Sequence, residues 1–198
     1  MTCATAQQKE QTANPPDKYD VLQYATEDSR YNKYLVTIES YTTNGSTYHK
    51  KYLQYLYGIA KIFVDEKKIA VGEHSIGFYY DKKENRKDKL YLGVDLILPD
   101  EMVSQEASYD KNARALIGKN LREMMSVLSS CTEVLKENEV KGVVVGLVWK
   151  RNGLRELVNI WISKDDVDLF YRNELTLNEL VIRSTVTNTD GRIIRMTL

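Results

Sequence analysis

"VKGVVVGLVWKRNGLRELVNIWIS", residues 140–163, decides how this chain folds. Two strand-like runs flank Asn152-Gly153, a dipeptide that suits a type I′ hairpin turn because both residues tolerate positive φ. The first run is apolar almost throughout, which predicts a central strand covered on both faces. The second alternates: Leu154, Glu156, Val158, Ile160 and Ile162 on one side, Arg155, Leu157, Asn159 and Trp161 on the other. A two-residue period of that kind belongs to a strand with unlike faces.

Upstream, Ile117, Leu121, Met124, Leu128, Cys131 and Leu135 are spaced 4, 3, 4, 3 and 4. That stripe predicts one long amphipathic helix over residues 110–138, laid across the sheet. Cys131 falls on the stripe and reads as a buried, inert thiol. Before it, "LYLGVDLIL" (90–98) reads as a strand stopped by Pro99. "IAKIFV" and "IAVGEHSIGFYYD", on either side of the polar residues 65–68, read as a hairpin, and "YLVTIESY" (34–41) reads as a further strand. Residues 17–30 suggest a short helix entered through Pro16.

Downstream, Ser163 with Asp166 and Thr176 with Glu179 have the spacing of helix N-caps, and Asp190-Gly191 marks a last hairpin. The expected fold is therefore α+β. A mainly antiparallel sheet built from hairpins packs against one long amphipathic helix, with short capped helices. Strands in hairpin pairs argue against a parallel, doubly wound sheet.

Fourteen tyrosines stand against three phenylalanines, and four of them crowd into "STYHKKYLQYLYG" (46–58). Tyr48, Tyr52, Tyr55, Leu56, Ile59 and Phe63 recur at three and four, which favours a helix capped by Ser46 or Thr47 and ended by Gly58. A strand also suits tyrosine. Helical spacing sends Tyr52, Leu56, Ile59 and Phe63 to the core. It leaves Tyr57, with Tyr55, as a surface contact.

At 198 residues, 42% hydrophobic and 28% charged, the chain is long enough to bury a core in one domain. Zero formal net charge disfavours a general nucleic-acid binder. No apolar run approaches the ~20 residues of a membrane span. Two cysteines make no disulfide framework, and two histidines leave little for a metal site or a triad. Residues 1–18 hold almost nothing to pack and read as a disordered tail before a single domain at 19–198. If the chain is the mature end of an exported protein, Cys3 is a candidate for a lipid anchor.

The chain carries no Gly-x-Gly-x-x-Gly, phosphate-loop or Gly-x-Ser-x-Gly signature. Glu73, His74 and Ser75 in "GEHSIG" alternate faces on a strand and read as a solvent-facing patch. Asp165, Asp166 and Asp168 read as a helix start rather than a calcium loop. No catalytic residue, cofactor or metal is expected.

Charge segregates between loops. Residues 82–89 include Lys82, Lys83, Arg86 and Lys87, whereas residues 100–110 hold Glu101 and Glu106 with two aspartates and no basic residue. Opposite patches suit contacts with other proteins or with copies of the chain. The expectation is a non-enzymatic binding or structural protein, an exported bacterial envelope or periplasmic component working in a larger assembly. The alternative is a small-molecule carrier with a tyrosine-lined pocket between helix and sheet. An apolar cavity bearing a few hydroxyls would favour that alternative.

Overall fold

The structure is a computed structural model that describes residues 19–80 and 89–198. The fold is α+β, with several helices and a mostly antiparallel sheet. Helices α1 (Thr43–Lys51) and α2 (Leu53–Lys61) precede strands β1 (Ala70–Val71), β2 (Gly77–Tyr80) and β3 (Leu90–Ile97). Then come α3 (Tyr109–Leu128), α4 (Thr132–Lys136), β4 (Val140–Arg151) and β5 (Leu154–Ser163). Helices α5 (Lys164–Tyr171) and α6 (Leu177–Arg183) lead to β6 (Thr185–Thr187) and β7 (Ile193–Ile194). The sheet order is β1-β3-β4-β5-β6-β7, and β2 shares with β1 the edge of β3 that β4 leaves free.

The β4–β5 hairpin forms as its sequence predicts, paired from Gly142 opposite Ser163 to Arg151 opposite Leu154. Asn152 and Gly153 turn it with φ of 51° and 77°, the left-handed pair of a type I′ turn. The N-caps are also where the sequence puts them. Ser163 accepts from the Asp166 N–H at 3.1 Å, and Thr176 with Glu179 closes a capping box.

The sheet is mainly antiparallel as expected, but its centre departs from hairpin pairing. Strands β3 and β4 are parallel, from Leu90 opposite Val140 to Ile97 opposite Val148. Parallel neighbours need a long crossover, and residues 98–139 supply it. That crossover is not one helix. α3 ends at Leu128, Cys131 takes a non-helical conformation, and α4 adds only five residues. Ser126 and Ser130 each donate to a carbonyl three residues back at 2.6 Å, local bonds that compete with the helical ladder.

The N-terminal third departs further. "YLVTIESY" contributes only a bridge from Leu35 to Ile76 before a 3-10 turn at Ile38–Ser40, where the Thr37 and Ser40 hydroxyls bond each other at 2.6 Å. "IAKIFV" is helical, because Ile59, Ile62 and Phe63 prolong the apolar spacing of α2 and are wholly buried. Gly58 lies inside α2, and the helical run begins at Thr43 rather than after Ser46 or Thr47. Residues 17–30 give no α-helix among the described residues. They give a 3-10 turn at Val21–Tyr24, and a second follows at Ser29–Tyr34.

One face of the sheet is dry. Leu92, Val94 and Leu96 of β3, Val143, Val145 and Leu147 of β4, and Val158, Ile160 and Ile162 of β5 are all inaccessible to solvent. They join Leu56 and Ile59 of α2 and Ile117, Leu121 and Leu128 of α3 in one cluster that extends from Val21 to Met196. Each such side chain contributes roughly 1.5–3 kcal/mol. Val144 and Val148 point the other way and stay outside that cluster.

Candidate ligand-binding cleft

The second face of the sheet is built differently. Pairing aligns Asp95, Gly146, Asn159 and Thr187 in one row across β3, β4, β5 and β6. The adjacent row is Gly93, Val144, Trp161 and Thr185. Gly146 is there for space: a Cβ would stand 1.9 Å from Asp95 Oδ1 and 3.0 Å from Asn159 Oδ1. Both oxygens therefore converge above the glycine.

Residues 36–41 and β2 wall this floor on one side, and the β6–β7 turn walls it on the other. The cleft measures about 790 Å³. Tyr41, Tyr79 and Trp161 bring rings to it. The Tyr79 hydroxyl donates to the Ser75 carbonyl at 2.5 Å, and the Tyr41 hydroxyl accepts the Phe78 N–H at 3.0 Å, where a further strand would otherwise pair. Burial pushes both phenols up, so both keep their protons. Trp161 donates to Thr187 Oγ1 at 3.4 Å and stands edge-on to Tyr91, with centroids 5.2 Å apart.

Asp95 is half-buried, and no described residue donates a hydrogen bond to its carboxylate. Burial pushes its carboxyl up to about 6, against the opposing pull of Arg155 on the same side of β5. His74 sits at the cleft with φ of 52°, a left-handed conformation that a residue with a Cβ adopts at a cost. Its Nδ1 lies 3.2 Å from the Leu35 carbonyl. A carbonyl only accepts, so Nδ1–H is the donor in that contact.

The residues expected as contacts are scattered. Tyr57 is buried, and its hydroxyl donates to Asn32 Oδ1 at 2.6 Å, which corrects the expectation of a surface ring. Helix α2 packs against the turns at Val21–Tyr24 and Ser29–Tyr34, and the second brings Asn32 to the Tyr57 hydroxyl. Tyr55 is half-buried at a shallow groove with Lys51, Glu133, Lys136 and Glu137. There Glu137 accepts from Lys51 at 2.6 Å, from Tyr48 at 3.4 Å and from the Tyr52 hydroxyl, so it clamps α1 and α2 to α4. The Lys51 ammonium, then the Tyr52 hydroxyl, hold this carboxyl below its usual range. Glu101 and Glu106 are exposed, and Lys82, Lys83, Arg86 and Lys87 lie outside the described residues, as does Cys3.

Tyr31, Tyr52 and Tyr57 are buried in the core, and most other tyrosines pack half-buried against it with polar ends. Tyr31 bonds Asp65, Tyr109 donates to the Leu157 carbonyl at 2.8 Å, and Tyr80 accepts the Gly45 N–H at 3.1 Å. The pocket expected between helix and sheet is filled by apolar side chains, and the cleft lies on the opposite face. Nor is "GEHSIG" a solvent-facing patch throughout: Ser75 is buried and donates to the Gly72 carbonyl at 2.7 Å.

Asp95, Asn159, Trp161 and Thr187 escaped the sequence reading as a site. The available signal was a lone carboxylate inside an apolar strand, which a dry sheet would not tolerate. No described helix is long and apolar enough to cross a membrane. Among the described residues no three His, Cys, Asp or Glu side chains gather to hold a metal ion. Comparison of the chain with protein families, curated proteins and solved structures finds no match.

Proposed function

We propose that the protein binds a small molecule in the cleft over Asp95, Asn159 and Trp161. The observation that carries this reading is Asp95 itself. It is a half-buried carboxylate without a hydrogen-bond donor among the described residues, on the floor of an aromatic-walled cleft of about 790 Å³. Concave, largely apolar sites with a few placed polar groups are where proteins hold small ligands.

Two buried groups support binding rather than catalysis. The Ser75 hydroxyl is spent on the Gly72 carbonyl, and burial pushes the Cys131 thiol up, away from the reactive thiolate. In this reading the protein is a carrier or sensor.

Trp161 serves as the reporter. The second tryptophan, Trp149, is buried on the dry face and donates to Glu156 at 2.6 Å, so Trp149→Phe removes its background. A fragment library titrated against that variant should yield compounds that change Trp161 emission saturably and raise Tm. Compounds that raise Tm without touching Trp161 emission would place the ligand elsewhere and overturn the reading.

A further inference from the structure

We infer that the ligand of this cleft is an organic cation, an amine or quaternary ammonium on a flat apolar body, bound with its charge beside Asp95. The inference rests on the cleft being the ligand site and adds the chemistry of what fills it.

The charged groups around Asp95 set the sign. Asp95 comes from β3. The β4 residue beside it is Gly146, which brings no charge. Strand β5 brings Asn159 and, further along the same face, the exposed Arg155. The β6–β7 turn brings Asp190, the loop before β2 brings His74, and β2 brings the protonated Tyr79. Arg155 acts on Asp95 through space but makes no ion pair with it. The floor thus holds an unneutralised carboxylate with a second acceptor, Asn159 Oδ1, converging on the same space above Gly146.

A neutral ligand would remove water from Asp95 and return at most a hydrogen bond, leaving its charge unbalanced. An anion would add repulsion from Asp95 and Asp190. A cation supplies the missing partner, and the cleft that holds Asp95 is lined by Trp161 and Tyr41, whose π-systems a cation favours. A bare metal ion would find few charged ligands here, since no three His, Cys, Asp or Glu side chains gather among the described residues. An alkylated or aryl ammonium needs one carboxylate and aromatic walls, and both are present.

Four probes of nearly one shape separate the cases: benzylamine, benzyltrimethylammonium, benzyl alcohol and benzoate. Titrated against the Trp149→Phe variant by Trp161 emission, the two cations should bind at least about tenfold tighter than the alcohol, with benzoate weakest. Asp95→Asn should erase that preference and leave the alcohol unchanged. Between about pH 7.5 and about pH 5 the cations should weaken as Asp95 takes up its proton, and the alcohol should not. Alcohol or benzoate binding as tightly as benzylamine would overturn the organic-cation inference and leave the ligand cleft standing. No change in Trp161 emission with any of the four would overturn both.

Discussion

Replacing Asp95 with asparagine should make the protein more stable while it ruins the site. Burial raises the carboxyl from 3.8 to about 6. A shift of about two units corresponds to about 3 kcal/mol between the two protonation states. The native state holds this proton more tightly than the unfolded chain does. The stabilisation from the protonated form is therefore complete below the unfolded value of 3.8 and is lost as pH rises through about 6. Above that, the charged carboxylate weighs against folding. Asparagine keeps the shape without the charge but still buries a polar amide, so a gain of about 1–3 kcal/mol is expected at neutral pH. The assay is urea unfolding of both chains at several pH values, with the difference between them isolating this group from other carboxylates. The Asp95→Asn advantage should be near zero around pH 4 and should grow to its full size by about pH 7. A variant less stable than the parent at neutral pH, or a pH-independent difference, would mean that Asp95 is paired in solution and that the cleft has no vacancy for a cation.

Gly146→Ala puts a methyl group 1.9 Å from Asp95 Oδ1, so it should cost about 1–3 kcal/mol in urea unfolding and abolish probe binding by Trp161 emission. Leu128→Ala, at a wholly buried position of α3, should cost roughly 2–5 kcal/mol in the same experiment. Tyr57→Phe removes one buried hydrogen bond to Asn32 and should cost about 0.5–1.5 kcal/mol, whereas Tyr57→Ala should cost more than any surface change. Cys131 should resist iodoacetamide in the native protein and react only on unfolding; modification as fast as in the unfolded chain would show that the α3–α4 turn is open.

What was legible in the sequence was what local chemistry dictates. Asn152-Gly153 fixed its hairpin because few dipeptides accept two left-handed residues. Ser163 and Thr176 marked their helices because an orphan N–H needs a nearby acceptor. The stripe of α3 named the face that packs, although the turn at Ser129 and Ser130 was hidden by an apolar spacing that continues through Cys131. The long-range choices were not legible. The β3–β4 pairing is parallel because residues 98–139 return across the sheet, and no local pattern separates that from two hairpins. Tyr57 looked exposed on its own helix and is buried, with its hydroxyl on Asn32, in a turn twenty-five residues earlier in the chain. The site was missed for the same reason. Asp95, Gly146, Asn159 and Thr187 are far apart in sequence, and only strand register sets them in one row. The lone aspartate in "LYLGVDLIL" was the readable clue, since an apolar strand has no other use for a charge.

The most direct measurement of the central claim is amide and indole shift mapping of the isotopically labelled chain during a benzylamine titration at neutral pH. Saturable shifts are expected at Asp95, Gly146, Asn159, Thr187 and the Trp161 indole, all absent in Asp95→Asn. Shifts gathered instead around Tyr55 and Glu137, or shifts at the cleft that persist unchanged in Asp95→Asn, would contradict that claim.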